Sequence, residues 1–148
     1  MATDNSKFGA QVAAWCNEVP GALLAIRNAS AEDVADLMRA YTPIQFGFLA
    51  GTIQAALNSP VPIDPSATNE SKAKVAPNAS AGEVSLVILN SSLDDKIFVT
   101  FTMAYAAYVN FGTSKMAPRQ MVGRAAIQWQ RIVEVNANLA KAAISKGR

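Results

Sequence analysis

Hydrophobic side chains recur at helical spacing through the first part of the chain. Phe8, Val12 and Trp15 stand four and three residues apart, which places them on one face of a helix. The same period continues beyond them, so residues 8–40 are predicted to be helical. Pro20 is expected to end or kink the helix, because proline lacks a backbone donor and clashes with the preceding helical turn. The pattern leaves open whether the part after the proline is one helix or two.

Proline also marks the end of this helical region. A residue that precedes proline is pushed out of the helical conformation, so we expect the helix to close at Thr42-Pro43. An irregular apolar turn is predicted over residues 44–51. Alternating side chains then predict a short strand over residues 52–57.

Residues 58–82 have a different composition. They contain four prolines and many Ser, Asn and Ala residues, with almost no large apolar side chains. A stretch of this length without periodicity is unusual inside a compact domain. We expect either a long surface loop or an arm that becomes ordered against neighbouring subunits.

Two later stretches carry the strongest strand patterns in the chain. Residues 83–89 are rich in Val, Leu and Ile, and residues 96–103 alternate in side-chain type. The loop between them, residues 90–95, has a length consistent with an antiparallel hairpin. With the strand at 52–57, these stretches predict a small antiparallel sheet of about three to four strands.

An aromatic run follows the last predicted strand. Tyr105, Tyr108 and Phe111 stand three residues apart, which fits one turn of helix, and Gly112 comes directly after them. Glycine permits a sharp turn because it takes positive φ without steric cost. We expect Tyr108 and Phe111 to pack at the junction between the sheet and the last helix.

A long amphipathic helix is predicted over residues 119–145. Pro118 suits its first turn, where the missing N–H is not needed, and Trp129 is expected to anchor the helix on the sheet. The fold class is therefore α+β in a single domain, residues 1–148. It has N-terminal helices, a small antiparallel sheet and a long C-terminal amphipathic helix packed on that sheet.

The residue types argue against an enzyme. Histidine is absent, which excludes histidine-based triads and histidine metal sites, and the single cysteine excludes thiolate zinc sites. Cys16 lies in an apolar helical pattern and is expected to be buried. A carboxylate hydrolase using Glu83, Asp94 or Asp95 is a rival class, but adjacent carboxylates are common in turns. We expect no catalytic residues, no cofactor and no metal.

Charge is unevenly distributed along the chain. Residues 1–96 hold six basic and ten acidic side chains, whereas residues 97–148 hold seven basic side chains and only Glu134. The charges can be a solvated face, or the two halves can attract each other between copies or attract another partner. A DNA-binding module using the basic last helix is a remote alternative. No apolar run approaches the roughly 20 residues that span a bilayer, and no signal core follows the N-terminus, so a cytosolic product without membrane contact is expected.

Two separated segments resemble the neck or tail-completion proteins of long-tailed bacteriophages, which act in head-to-tail joining. The first reads T-P-I-Q-F-G-F-L-A-G-T-I at Thr42–Ile53, and the second reads Y-A-A-Y-V-N-F-G-T-S-K-M-A-P-R-Q-M at Tyr105–Met121. The helices ahead of them and the long helix behind also match. The chain departs from the family at Gln45-Phe46, usually Asp-Thr, at Asn110, often Glu, and at Gln120-Met121, usually Pro-Phe.

The resemblance implies a non-enzymatic structural protein of the virion, in its neck or tail, assembled in the cytoplasm of the bacterial host. Such proteins form or complete a ring that joins the tail to the capsid; a tail terminator capping the tail tube is the near alternative. The implied partners are further copies of the chain in a hexameric ring, the head-completion or connector protein, and the tail terminator or tail tube protein. DNA passes through such an assembly without specific binding.

The family-motif residues are also the candidate interface residues. Tyr105, Lys115 and Arg119 are expected to face an adjacent subunit, unless the segment is simply core. The full set is Thr42, Pro43, Gly47, Leu49, Tyr105, Tyr108, Phe111, Gly112, Thr113, Lys115, Pro118 and Arg119.

Overall fold

The computed structural model describes residues 5–44, 47–67 and 76–146. Within them the chain is mixed helix and strand, as predicted. In chain order the elements are α1 (Asn5–Tyr41), α2 (Phe48–Gly51), β1 (Ile53–Leu57), α3 (Ala81–Leu89), β2 (Ile97–Phe101), α4 (Ala106–Phe111), α5 (Met121–Ile127) and α6 (Trp129–Lys146).

The first helix runs through the proline that was expected to interrupt it. α1 is 37 residues long with Pro20 inside it, so of the two predicted outcomes, an end or a kink, the end is wrong, and the part after the proline is one helix. Residues 7–18 are all exposed, so water can bond the carbonyl that the proline leaves without a donor. The predicted end of the helix is confirmed. It is closed by Thr42, whose N–H and hydroxyl donate to Arg39 O (3.2 Å) and Met38 O (2.7 Å).

Among the residues that the structure describes, the sheet has two antiparallel strands, not three to four. β1 pairs with β2 in a register that places Ile53 opposite Phe101 and Leu57 opposite Ile97. The strands predicted at 52–57 and 96–103 are therefore confirmed, with slightly shorter bounds. They are joined by a long connection rather than by a hairpin loop.

The strand predicted at 83–89 is wrong, because these residues form α3. Val84 and Ile88 stand four residues apart, a spacing that puts them on one face of a strand and equally on one face of a helix. Both are buried, 3% and 0% exposed, in the core cluster that α3 forms with α1 and β1. The predicted hairpin with 96–103 therefore does not exist. Residues 90–96 instead connect a helix to β2.

The proline-rich stretch is only partly described by the structure. Residues 58–67 and 76–80 contain no helix or regular strand, while 68–75 lie outside the described residues. Asp64 forms a parallel bridge with Met103, and its N–H donates to Thr102 O at 3.0 Å. The start of this stretch therefore lies against the end of β2.

The C-terminal region is two helices rather than one, with a break at Gln128. α6 packs along α1 and not on the sheet, as the hydrogen bonds from Asn136 Nδ2 to Ser30 Oγ (3.2 Å) and Asp33 Oδ2 (2.8 Å) show. A five-residue strand spans about 17 Å, too short to cover an 18-residue helix of about 27 Å. The expected anchoring by Trp129 is also wrong, since this side chain is 43% exposed.

Arg27 ties α1 to the loop before β2. Its guanidinium donates to Ser92 O at 2.6 Å and to Asp95 O at 3.2 Å. The carboxylate of Asp95 accepts hydrogen bonds of 2.8 Å from Asn58 Nδ2 and from the N–H and hydroxyl of Ser92. These bonds, led by the one from Asn58, lower the pKa of Asp95 to about 2. The end of β1 and the loop before β2 are thus joined through the side chain of Asp95.

This arrangement predicts acid sensitivity. Because the pKa of Asp95 is lower in the folded than in the unfolded chain, its bonds stabilise the fold above about pH 4 and are lost as the pH falls towards about 2. Asp95→Asn should lower the melting temperature near neutral pH. Between about pH 4 and about pH 2 the melting temperature of this variant should fall less steeply than that of the wild type. Asp94→Asn is the matched control, because Asp94 is exposed and makes no hydrogen bond among the described residues. Wild-type and Asp95→Asn melting curves that stay parallel down to about pH 2 would contradict this account.

Candidate functional site

The two family-like segments meet in one hydrophobic cluster. Leu49 of the first segment packs with Met103, Ala106 and Met121, and these four side chains are between 0% and 7% exposed. α2, α4 and α5 each contribute to this cluster, which lies beside the core around Ile53. More than fifty residues of sequence separate segments that form a single packed unit.

The first segment is mainly interior. Thr42, Gly47 and Leu49 are buried, whereas Pro43 is exposed. Gly47 has φ 73°, and its carbonyl accepts the N–H of Gly51 at 3.0 Å, so it starts the short helix α2 in a conformation that favours glycine. Gln45 and Phe46, where the chain departs from the family, lie outside the described residues.

The second segment closes on itself through a tight hairpin at residues 112–118. Thr113 and Met116 exchange backbone hydrogen bonds of 2.8 and 3.2 Å, which leaves Lys115 exposed at the tip. The returning chain then bonds α4, with the N–H of Arg119 donating to Val109 O at 3.0 Å. Pro118 lies in this return, three residues before α5, so its predicted place in the first turn of the helix is wrong.

Gly112 makes this hairpin possible, as the sequence predicts. It has φ 80° and ψ 173°, a region open almost only to glycine. A Cβ atom placed there would lie 2.8 Å from Met116 O and from Pro118 N, and 2.9 Å from Pro118 Cδ. The turn therefore excludes every side chain both by conformation and by space.

Asn110 has a role that sequence reasoning missed. It is buried at 9% exposure, and its Oδ1 accepts the N–H of Val122 at 3.1 Å, which caps the start of α5. Its own carbonyl also accepts the N–H of Gln120 at 3.0 Å. No local signal could reveal this, because the capping residue lies on a different helix and the hairpin brings it into place.

The aromatic run forms a helix, as predicted, but it does not pack as predicted. Tyr108 and Phe111 are 64% and 78% exposed, because α4 buries its other face through Ala106 and Asn110, which stand four residues apart. Tyr105 is partly exposed at 37%, and its burial raises the pKa of the phenol. The aromatic face of α4 thus points away from the core.

A long apolar groove runs beside β2. One end is a hollow of about 850 Å³ between β2, α4, α5 and residues 60–63, and the other is a hollow of about 360 Å³ against α1. Met38, Val99 and Val122 line both hollows, so they form one continuous surface, here called the β2 groove. Its most exposed apolar members are Ile63 (56%), Phe111 (78%), Ile127 (80%) and Trp129 (43%).

A second apolar surface lies on the N-terminal half of α1. Phe8, Val12 and Trp15 are 67%, 42% and 58% exposed; we call them the α1 stripe. Cys16 beside them is exposed, so its predicted burial is wrong. The helix predicted from this period is confirmed, but in this part of α1 the apolar face has no cover from the rest of the described chain.

The carboxylates of the rival hydrolase interpretation do not converge on one site among the described residues. No group of three His, Cys, Asp or Glu residues among them could hold a metal ion. Glu83 and Asp94 are exposed and lie in different elements, while Asp95 is engaged in the bonds to Asn58 and Ser92. Arg131 on α6 borders the same hollow as the α1 carboxylates Asp33 and Asp36. The acidic part of the sequence, residues 1–96, and the basic part, residues 97–148, therefore approach each other within one chain.

No described helix is long and apolar enough to cross a membrane. No protein-family model, curated protein or solved structure matches this chain.

The hairpin predicts a sharp difference between two glycine substitutions. Gly112→Ala should lower the free energy of unfolding by at least about 2 kcal/mol, because alanine is strained at this φ and its Cβ would meet the backbone. Gly21→Ala is the control: it lies inside α1 with nothing within 4 Å of an added Cβ, and should gain up to about 1 kcal/mol. Urea unfolding measures both. Equal stability of the two variants would contradict the described turn.

Proposed function

We propose that this chain is a non-enzymatic structural protein of a long-tailed bacteriophage, which forms or completes the ring joining tail to capsid. The observation that carries the proposal is the packing of Leu49 against Met103, Ala106 and Met121. The two stretches that resemble the neck and tail-completion family are remote in sequence, and a chance resemblance gives no reason for them to pack together. Their joint packing therefore supports reading them as one family feature.

The exposed apolar surfaces support a role in assembly. Large contiguous apolar patches on a protein surface commonly mark protein–protein contact sites. The β2 groove and the α1 stripe are apolar surfaces of this kind within the described residues. The charged fraction of the chain is only 16%, against about 25% in typical soluble domains. In the proposed assembly the chain contacts further copies of itself in a hexameric ring, the head-completion or connector protein, and the tail terminator or tube protein. It uses no cofactor.

The proposal is tested by placing a stop codon in the coding sequence of this protein within the phage genome. Infected cells should then contain filled heads and tails of normal length that are not joined, as seen by electron microscopy, because the joining ring is missing. Wild-type protein supplied from a plasmid should restore joined particles. A protein that terminated tail growth would instead leave tails of irregular length when absent. Joined, infectious particles formed without the protein would contradict the proposal.

A further inference from the structure

The α1 stripe continues a face of α1 that is covered elsewhere. Val12 and Trp15 precede Ser30 and Asp33 by 18 residues each, which is five turns at about 3.6 residues per turn, so the two pairs lie on the same face. Ser30 and Asp33 are the residues that Asn136 of α6 bonds. α6 runs antiparallel to α1, because Arg124 ahead of α6 lies over the ring of Tyr41, whereas Asn136 bonds Asp33 farther back along α1. The last described residue of α6 is Lys146, ten residues beyond Asn136. The face of α1 that α6 covers therefore continues beyond the end of α6, where the α1 stripe lies uncovered.

The stripe cannot reach the β2 groove of its own chain. Trp15 and Arg27, the nearest groove residue on α1, belong to one continuous helix and are separated by 12 residues, or about 18 Å of helix length. A helix cannot fold back on itself over that distance. Any contact between the stripe and a groove must therefore join two copies.

The two surfaces match in length and in chemistry. The exposed helical end, residues 7–18, is about 17 Å long, and the groove follows the chain from Ile97 to Met103 over about 20 Å. Both are apolar, one a convex helical ridge and the other a concave surface, which is the form of helix-in-groove recognition.

We propose that the α1 stripe of one copy lies in the β2 groove of the next copy. This inference rests on the self-association in the proposed function, and not on its place in a phage. The contact joins two different surfaces, so each bound copy still offers a free stripe and a free groove. Head-to-tail contacts of this kind close into rings when the rotation between copies permits.

The contact area lies at the lower end of the range for specific association. Phe8 and Trp15 are 67% and 58% exposed, so each can still bury about 100–150 Å² of the roughly 150–250 Å² of a whole aromatic side chain; with the helix around them the stripe would bury about 500 Å², or about 1,000 Å² with the groove side. This lies near the lower limit of specific interfaces, and in a ring each copy makes two such contacts. A symmetric contact of stripe with stripe would leave Phe111 and Ile127 uncovered and would stop at a dimer.

Three matched variants test the proposal. Trp15→Glu disables the stripe and Ile127→Glu disables the groove. Leu86→Glu on α3 places the same charge outside both surfaces, at a leucine whose exposure (61%) lies between those of Trp15 and Ile127. The first two should weaken self-association at least about tenfold in sedimentation velocity, because a buried carboxylate would lose its hydration, while the third should behave as wild type. Circular dichroism melting checks that each variant is folded; Phe8→Glu and Phe111→Glu replace any that is not.

Mixing the two disabled variants gives the decisive result. Each alone should be monomeric, but an equimolar mixture should form one-to-one dimers that grow no further, because the mixture contains one intact stripe and one intact groove. Self-association of Ile127→Glu at the wild-type level, with loss only in Trp15→Glu, would overturn the proposal in favour of stripe-to-stripe pairing. Wild-type association by both variants, or a wild-type protein that stays monomeric, would also overturn it. None of these outcomes decides the proposed phage function, since the stop-codon experiment reads particle joining directly.

Discussion

A sheet of only two strands cannot bury its own faces, and this limit shapes the rest of the molecule. Isolated two-stranded ribbons are at best marginally stable in water. Here the helices supply the missing surface, as Met38, Ile88 and Ala125 join the fully buried Ile53 in one core. The cover is incomplete along β2, where all five residues stay only half-buried. The β2 groove is thus the part of the core that a single chain leaves open.

The glycine hairpin decides what borders this opening. Gly112 lets the chain reverse after α4, and the returning strand places Asn110 against the start of α5. With Ala106 and Asn110 turned inwards, Phe111 is held at the rim of the groove. A backbone constraint at one residue therefore becomes an exposed aromatic surface next to an unfilled hollow. Function in this chain, as we propose it, depends on that surface rather than on chemically reactive groups.

Local patterns predicted the elements whose signals are local. The end of α1 before Pro43, both strands and the helical turn at Tyr105–Phe111 follow from side-chain spacing and proline chemistry. The residues of α3 predict a strand as readily as a helix, because Val84 and Ile88 satisfy both periods, and only the packing against α1 distinguishes the two structures. The predicted burial of Cys16 and packing of Phe111 are wrong for a similar reason: the period shows which residues share a face of a helix but not what covers that face. The cap supplied by Asn110 and the groove depend on contacts between distant segments, which no local pattern encodes.

The most direct test of this account is the mass of the wild-type protein in solution, measured by light scattering over a wide range of concentration. The open groove and the bare α1 stripe predict a mass that rises above the 15.6 kDa of one chain and levels off at a multiple of it as rings close. A mass of one chain at every concentration would show that the apolar surfaces of this protein do not bring its copies together, and would contradict the account.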